Sequence, residues 1–173
     1  MRDMDMMAGR ILRNLAGPQE SEPRREKEET GVDHTTRPVL MERVAYLRKL
    51  ARFGEGAASE ILKEYPRHNI QLSVRLRSGQ AEQHRNFADL FVVLDGRATL
   101  VTGGVIEKPQ DVGPGEVRGA EIRGGNTQEL RPGDVVHIPA GMPHQMLVTA
   151  EAGFSAMVVK IREMGEDPEP ISG

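Results

Sequence analysis

The stretch that decides the fold is GDVVHIPAGMPHQML, residues Gly133–Leu147. A Pro-Gly turn precedes a short β-branched run, and a Pro-x-Gly turn then reverses the chain. His144 begins the next apolar run directly after this turn. The pattern predicts two antiparallel strands, with a histidine side chain at the start of the second.

Short strand-like runs surround this stretch on both sides. Residues Ile70–Leu76 alternate between apolar and polar side chains, which is typical of a strand with one buried face. Further short runs follow between glycine-rich and proline-rich turns, and Gly103–Gly115 is expected to be a loop. The last run, Phe154–Ile161, is apolar on both faces, as expected of a strand in the centre of a sheet. The sequence therefore predicts an all-β barrel or sandwich.

Two amphipathic segments precede the strands. Apolar residues recur at helical spacing over Leu40–Ala51, and glycines follow at positions 54 and 56. A second, shorter stripe spans Ala58–Tyr65 and ends at Pro66. We expect two short N-terminal helices that cover one face or end of the barrel.

The chain divides into four predicted parts, which are a disordered or loosely ordered tail (1–37), a helical N-terminal extension (38–66), a barrel (67–162) and a loose C-terminal tail (163–173). The first tail is expected because residues 18–29 contain no aliphatic or aromatic side chain that folding would bury. Two alternatives for this tail are a docking helix over residues 4–15 and a translation start at Met41.

Composition excludes several classes of function. A length of 173 residues suits one domain, and a net charge of −3 gives no electrostatic reason to expect nucleic acid or an anionic membrane as a partner. No apolar run approaches the roughly 18 residues that span a bilayer. The sequence has no cysteine, which excludes disulfides and thiolate metal sites. We expect a cytoplasmic protein.

Two stretches of the chain resemble the two sequence motifs of the cupin superfamily. The second motif is Gly133–Leu147; the first consists of Gly79, Glu82-Gln83-His84, Asp89 and Gly96. Glu82 stands where the family has its first histidine, and Asp89 stands at the place of its glutamate. Val148 replaces the terminal asparagine of the second motif. The resemblance covers about residues 70–162, and the long spacing between the motifs indicates an insertion over Val105–Glu121 at the barrel rim.

This resemblance implies a cupin double-stranded β-helix, which is a jelly-roll barrel, with the two short helices added at its N-terminus. It also implies a metal site in the barrel, made of Glu82, His84, Asp89 and His144. Because members of the family are often dimers, we expect a homodimer formed through the first helix or the first strand.

Side-chain alternation predicts the same four residues without reference to the family. Glu82 and His84 share one face of their strand, while Asp89 and His144 each share a face with apolar neighbours. A buried carboxylate is costly unless it is paired or bound to a metal. His137 has the opposite parity to its apolar neighbours, so we expect it to face outward.

Imidazole and carboxylate ligands without sulfur favour Fe(II), Mn(II), Ni(II) or Zn(II). Two histidines and one carboxylate leave coordination positions open for a ligand, and Glu82 or Asp89 is then a candidate general base. In the alternative interpretation, Glu82 forms a buried ion pair with Arg75 or Arg77 and no metal is bound.

Two functions follow as hypotheses. The first is a small cupin whose metal-binding pocket takes a small polar molecule, such as a carboxylate or a sugar, possible activities being oxygenase, isomerase or lyase. The second is a metal-free, non-enzymatic module that binds or senses a small molecule. A transcription factor is disfavoured because the predicted helices are short and no basic segment precedes them.

Overall fold

The computed structural model describes residues 31–149, 151 and 153–163. Most of both predicted tails therefore lies outside the described residues. The described residues from Thr35 onward form one compact unit. The elements of the described residues are α1 (Arg37–Phe53), β1 (Ala57–Glu64), β2 (His68–Arg75), β3 (Ala81–His84), β4 (Phe87–Gly96), β5 (Ala98–Thr102), β6 (Val105–Ile106), β7 (Gln110–Gly113), β8 (Glu116–Gly119), β9 (Ile122–Arg123), β10 (Asn126–Leu130), β11 (Val135–Ile138), β12 (His144–Leu147) and β13 (Phe154–Arg162).

The strands form two larger antiparallel sheets and one small one. The first larger sheet has the order β1-β2-β13-β4-β11, and the second has the order β10-β5-β12-β3-β8-β7. Strands β6 and β9 pair separately. Strand β13 lies between β2 and β4, as its apolar character on both faces predicts. The predicted all-β barrel is confirmed.

A core of apolar side chains from both sheets fills one part of the barrel. Val93 of β4, Phe154 and Val158 of β13 belong to the first sheet, while Leu100 of β5 and Met146 of β12 belong to the second. These strands send alternate side chains inward, so each contributes every second residue. The remainder of the interior is left for a cavity.

Helix α1 covers the outer face of the first sheet. It begins after Thr36 and has a proline in its first turn, and Gly54 follows its last residue. Proline is tolerated there because the N–H groups of the first turn have no hydrogen-bond partner within the helix. Its buried residues Val44 and Leu47 belong to the same cluster as Leu72 and Val74 of β2. The apolar face of β2 is therefore buried against the helix rather than inside the barrel.

The prediction of a second N-terminal helix is wrong, because residues Ala57–Glu64 form strand β1. This strand pairs with β2 along its length, with a bulge between Ile61 and Lys63. The helical spacing of its apolar residues was misleading, since the hydrogen bonds offered by the edge of β2 outweigh local preference.

The segment between the two motifs contains more strand than its composition predicts. The expected loop over Gly103–Gly115 includes strands β6 and β7. Strand β8 pairs with β3, and β7 pairs with β8 at the end of the second sheet. The predicted insertion over Val105–Glu121 thus extends the sheet that holds Glu82 and His84.

Candidate metal centre

Three of the predicted residues lie on adjacent strands of the second sheet. Strand β3 carries Glu82 and His84, whose side chains share one face because they are two residues apart. His144 is the first residue of β12 and is the cross-strand partner of Glu82. The pairing of β3 with β12 therefore brings both sequence motifs together.

The turn before β12 is fastened to β3 by two hydrogen bonds. Gly141 has a φ of +77°, a conformation that glycine adopts without a Cβ penalty. Its N–H donates to the carbonyl of His84 at 2.7 Å, and the side-chain amide of Gln83 donates to the Gly141 carbonyl at 2.7 Å. These bonds fix the separation of the two histidines.

Both histidines have their Nδ1 atoms engaged away from the centre. His84 Nδ1 lies 2.5 Å from Oε2 of Glu116 on β8, and His144 Nδ1 lies 3.0 Å from the Met142 carbonyl. Since a carbonyl only accepts hydrogen bonds, His144 Nδ1 is the donor. The two rings lie with their centroids 5.2 Å apart, and their Nε2 atoms face a common point.

The two carboxylate oxygens of Glu82 have different neighbours: Oε1 contacts arginines of the cavity wall, and Oε2 faces the histidines. Oε1 forms an ion pair with Arg118 at 2.9 Å and accepts a hydrogen bond from Arg75 at 3.3 Å, while Oε2 lies 3.5 Å from His84 Nε2. The ion pair with Arg75 is one that the sequence analysis considered. Arg118 is a second partner of Glu82 that was not predicted from the sequence.

Asp89 reaches the same point from the opposite sheet. Its Oδ2 lies 3.6 Å from His84 Nε2 and 3.8 Å from His144 Nε2, and its side chain is only 3% exposed. Lys160 is its cross-strand partner, and Nζ lies 2.7 Å from Oδ1 and 3.0 Å from Oδ2. Lys160 therefore compensates the charge of this buried carboxylate.

These contacts shift three pKa values. Burial alone would raise the pKa of Glu82, but the hydrogen bond from His84 and the charges of Arg118 and Arg75 lower it to about 2. Burial opposes the charged form of His84, yet Glu82, Asp89 and Glu116 together raise its pKa. For His144, burial is the main effect and lowers the pKa.

The donor set fits a divalent metal ion. One ligand atom each from Glu82, His84 and His144 lies within 4.8 Å of the others, and all three residues are largely buried. Their nitrogen and oxygen atoms are ligands that Fe(II), Mn(II), Ni(II) and Zn(II) accept. Asp89 faces the same centre but is paired with Lys160.

A cavity of about 250 Å³ opens beside these residues. Gln71, Ser73 and Arg75 line it from β2, and Ser59 lines it from β1. These are the polar positions of strands whose apolar residues pack under helix α1. Apolar side chains, including Phe91, cover another part of the wall.

The structure brings all four predicted residues together and leaves the side chain of His137 exposed, as its parity predicts. Glu116, Arg118 and Lys160 were not predicted from the sequence. One signal was available for Lys160, which is the single charged residue in the apolar run Phe154–Ile161. The alternation Glu116-Val117-Arg118 indicates a strand with two charged side chains on one face, which is a weaker signal.

No family model matches the sequence, and no curated protein matches it either. Solved structures that resemble it include a cupin superfamily protein from Desulfitobacterium hafniense, with 18% identity over 62% of this chain and 78% of that one, and a TM-score of 0.43. A sugar phosphate isomerase from a cupin superfamily, from Silicibacter pomeroyi, has 20% identity over 63% and 61% of the two chains, with a TM-score of 0.45. The DMSP lyase DddQ from Ruegeria pomeroyi has 18% identity over 71% and 57%, with a TM-score of 0.47.

The strand order of the two sheets, with His84 and His144 on neighbouring strands of the second sheet, agrees with the jelly-roll barrel that the resemblance to cupins implies. At these identities the likeness concerns the fold alone. Within the part of the chain that the structure describes, no helix is long and apolar enough to cross a membrane.

Proposed function

We propose that this protein is a cupin that binds a divalent metal ion through Glu82, His84 and His144 and receives a small anionic or polar molecule in the adjoining cavity. The observation on which the proposal rests is the orientation of the two imidazoles. Both Nδ1 atoms are hydrogen-bonded outward, so both Nε2 atoms are directed to one buried point. Metal-ligating histidines in proteins are held in this way by a partner on the other ring nitrogen.

The charges that line the cavity favour an anionic ligand. Arg75, Arg118 and Lys160 face two carboxylates, Glu82 and Asp89, so the lining is already one positive charge in excess. A divalent ion increases this excess, and a partly enclosed wall screens it less than water does. A small carboxylate is a ligand of suitable charge, and the side chains of β1 and β2 supply neutral hydrogen-bonding groups for its remaining atoms.

The two carboxylates suit different roles. Glu82 is a weak base because Arg75 and Arg118 stabilise its charged form, so we assign it as a metal ligand. Asp89 lies outside the three-residue cluster and is the candidate general base. When bound, a metal ion here would polarise an oxygen atom of the ligand as a Lewis acid.

One observation favours the alternative of a metal-free binding module. Each buried carboxylate already has a cationic partner, so the site is electrostatically compensated without an ion. In this case the same cavity binds the anionic molecule directly through Arg75 or Arg118.

Metal analysis of protein prepared without an affinity tag separates the two functions. After treatment with a chelator, the protein is dialysed against Fe(II), Mn(II), Ni(II) or Zn(II) in turn and its metal content is measured. We expect stoichiometric binding of at least one of these ions by the wild type. His84→Ala and His144→Ala should both lose it, since two of the three proposed ligands are imidazoles.

His137→Ala is the matched control, because His137 is exposed and does not line the cavity. It should bind metal as the wild type does. A wild type that stays metal-free under all four conditions contradicts the proposal and supports the metal-free module. The ligand class is tested with Mn(II)-loaded protein, where a small carboxylate that occupies the site lowers the water relaxation enhancement and an uncharged sugar of similar size serves for comparison.

A further inference from the structure

Strand β8 supplies a charged partner for each of the two proposed ligands on β3. The antiparallel register places Arg118 opposite Glu82 and Glu116 opposite His84. In the first pair a guanidinium contacts a carboxylate, and in the second pair a carboxylate contacts an imidazole. The predicted insertion thus contacts two residues of the candidate metal centre.

The contact between Glu116 and His84 determines which ring nitrogen faces the centre. Glu116 Oε2 lies 2.5 Å from Nδ1, close enough to hold a proton on that atom. In the neutral ring, the Nε2 atom then offers its lone pair toward the centre, whereas in the charged ring it donates to Glu82. Without Glu116, a neutral ring is free to carry its proton on Nε2, where Glu82 and Asp89 both lie within 3.6 Å.

The contact between Arg118 and Glu82 has a corresponding effect on the carboxylate. Arg118 lies 2.9 Å from Oε1, the oxygen directed away from His84. Because that oxygen is held by the wall, Oε2 is the one directed to the centre.

From these two contacts we propose that Glu116 and Arg118 are positioning residues, which set the orientation of His84 and Glu82 and thereby the affinity of the site for metal. This inference rests on the proposed function. It assigns a role to strand β8 that the two cupin motifs do not contain, since both residues lie between them in the sequence.

A second ion pair between the two motifs provides a control, which is matched in exposure at its glutamate. Glu107 and Arg123 form a contact of 2.9 Å, and neither residue lines the cavity. The Glu107 side chain is 34% exposed and that of Glu116 is 31% exposed, so the two glutamates are comparable in solvent access. Substitutions at Glu107 and Arg123 therefore report the general cost of removing a charge from this segment.

The experiment measures metal dissociation constants by calorimetry for the full chain and for Glu116→Ala, Glu116→Gln, Arg118→Met, Glu107→Ala and Arg123→Met. We expect Glu116→Ala to weaken binding by about 10- to 100-fold, the usual effect of removing a partner of a metal ligand. Glu116→Gln should lose less, because its amide oxygen still accepts a hydrogen bond from Nδ1. The two control variants should bind as the wild type does.

Long-range ¹H–¹⁵N NMR of the metal-free protein gives a readout that does not require metal. At a pH where the ring is neutral, His84 should carry its proton on Nδ1 in the wild type and shift toward Nε2 in Glu116→Ala. A wild type without metal affinity contradicts the proposed function, whereas this tautomer shift still tests the positioning role.

Metal affinity and tautomer both unchanged in Glu116→Ala overturn the inference. Equal losses in Glu107→Ala and Glu116→Ala also overturn it, since a general structural effect would then explain both. If Glu116→Ala does not fold, the comparison of Glu116→Gln and Arg118→Met with Arg123→Met decides the question.

Discussion

Glu82 keeps its negative charge in a largely buried position because three neighbours outweigh the cost of burial. His84, Arg118 and Arg75 all stabilise the carboxylate. Its folded-state pKa is therefore lower than its unfolded value, and the stability that it contributes is present above the unfolded pKa. That stability is lost as the pH falls from about 4.5 to about 2.

Glu82→Gln should therefore destabilise the metal-free protein at neutral pH but not in strong acid. We expect a loss of about 3 kcal/mol in the free energy of unfolding at pH 7, which shrinks as the pH approaches 2 because the wild-type carboxyl becomes neutral. Urea unfolding at a series of pH values measures this. A difference between the two proteins that is independent of pH contradicts the explanation.

Asp89 and Lys160 form the second buried charge pair of the site. Lys160→Met removes the cation and leaves a carboxylate that is 3% exposed without its lysine partner. We expect the free energy of unfolding to fall by about 2 to 3 kcal/mol, less than for a fully buried pair because Lys160 is partly exposed.

The double variant Asp89→Asn/Lys160→Met should recover most of that loss, since neither charge is left in the barrel. Lys49→Met, on an exposed position of α1, is the control and should be neutral. The denaturation midpoints of the three metal-free variants test this prediction, which fails if Lys160→Met matches the control.

Four residues of the candidate site were predictable because each signal is local in the sequence. A histidine or carboxylate on the apolar face of a strand stands out from its neighbours, as Asp89 and His144 do. Glu116 and Arg118 were not predictable in this way. Their roles depend on the register between β8 and β3, which is set by pairing across more than thirty residues of chain.

Among the elements, β1 shows where periodicity is insufficient. Its apolar residues repeat at helical spacing, and alanine, glutamate and leucine favour helix. The edge of β2 offers backbone hydrogen bonds that only a strand can satisfy, so the tertiary pairing decides the conformation. Helix α1, by contrast, was predicted correctly, because its stripe is longer and a glycine ends it.

Leu47 tests the packing of α1 on the first sheet. This side chain is 2% exposed and belongs to the cluster that contains Leu72 and Val74. Leu47→Ala should lower the free energy of unfolding by about 2 to 4 kcal/mol, because it leaves a cavity as well as losing buried apolar area.

Leu50→Ala on the same helix is the matched control, since Leu50 is 45% exposed, and it should cost less than about 0.5 kcal/mol. Metal affinity should be unchanged in both variants, because the helix packs on the face of the sheet opposite to the cavity. Chemical denaturation and calorimetry measure the two quantities. Equal stability of the two variants is the result that would count against this packing.

Across the whole molecule, the candidate metal centre draws on both larger sheets. Glu82, His84 and His144 come from the second sheet, and Asp89 comes from the first. A metal ion that binds only the folded barrel stabilises it by mass action.

At a free metal concentration about 100 times the dissociation constant, this linkage gives about 2.7 kcal/mol, which corresponds to a rise of roughly 10 °C in Tm for a domain of this size. Thermal unfolding followed by circular dichroism, with and without a chelator, measures the shift. His84→Ala should show no metal-dependent shift, whereas His137→Ala should retain it. An equal rise in Tm for His84→Ala would indicate metal bound elsewhere.

Strand β2 carries core packing on one face and cavity lining on the other, so the two functions do not compete for the same side chains. Leu72 and Val74 anchor it under the helix, while Gln71 and Ser73 on its other face form part of the cavity wall. Substitutions at the second pair alter what the cavity accepts without removing any of the packing that the first pair supplies. This strand is therefore the natural place at which a new ligand preference can arise, or be engineered, while the fold stays intact.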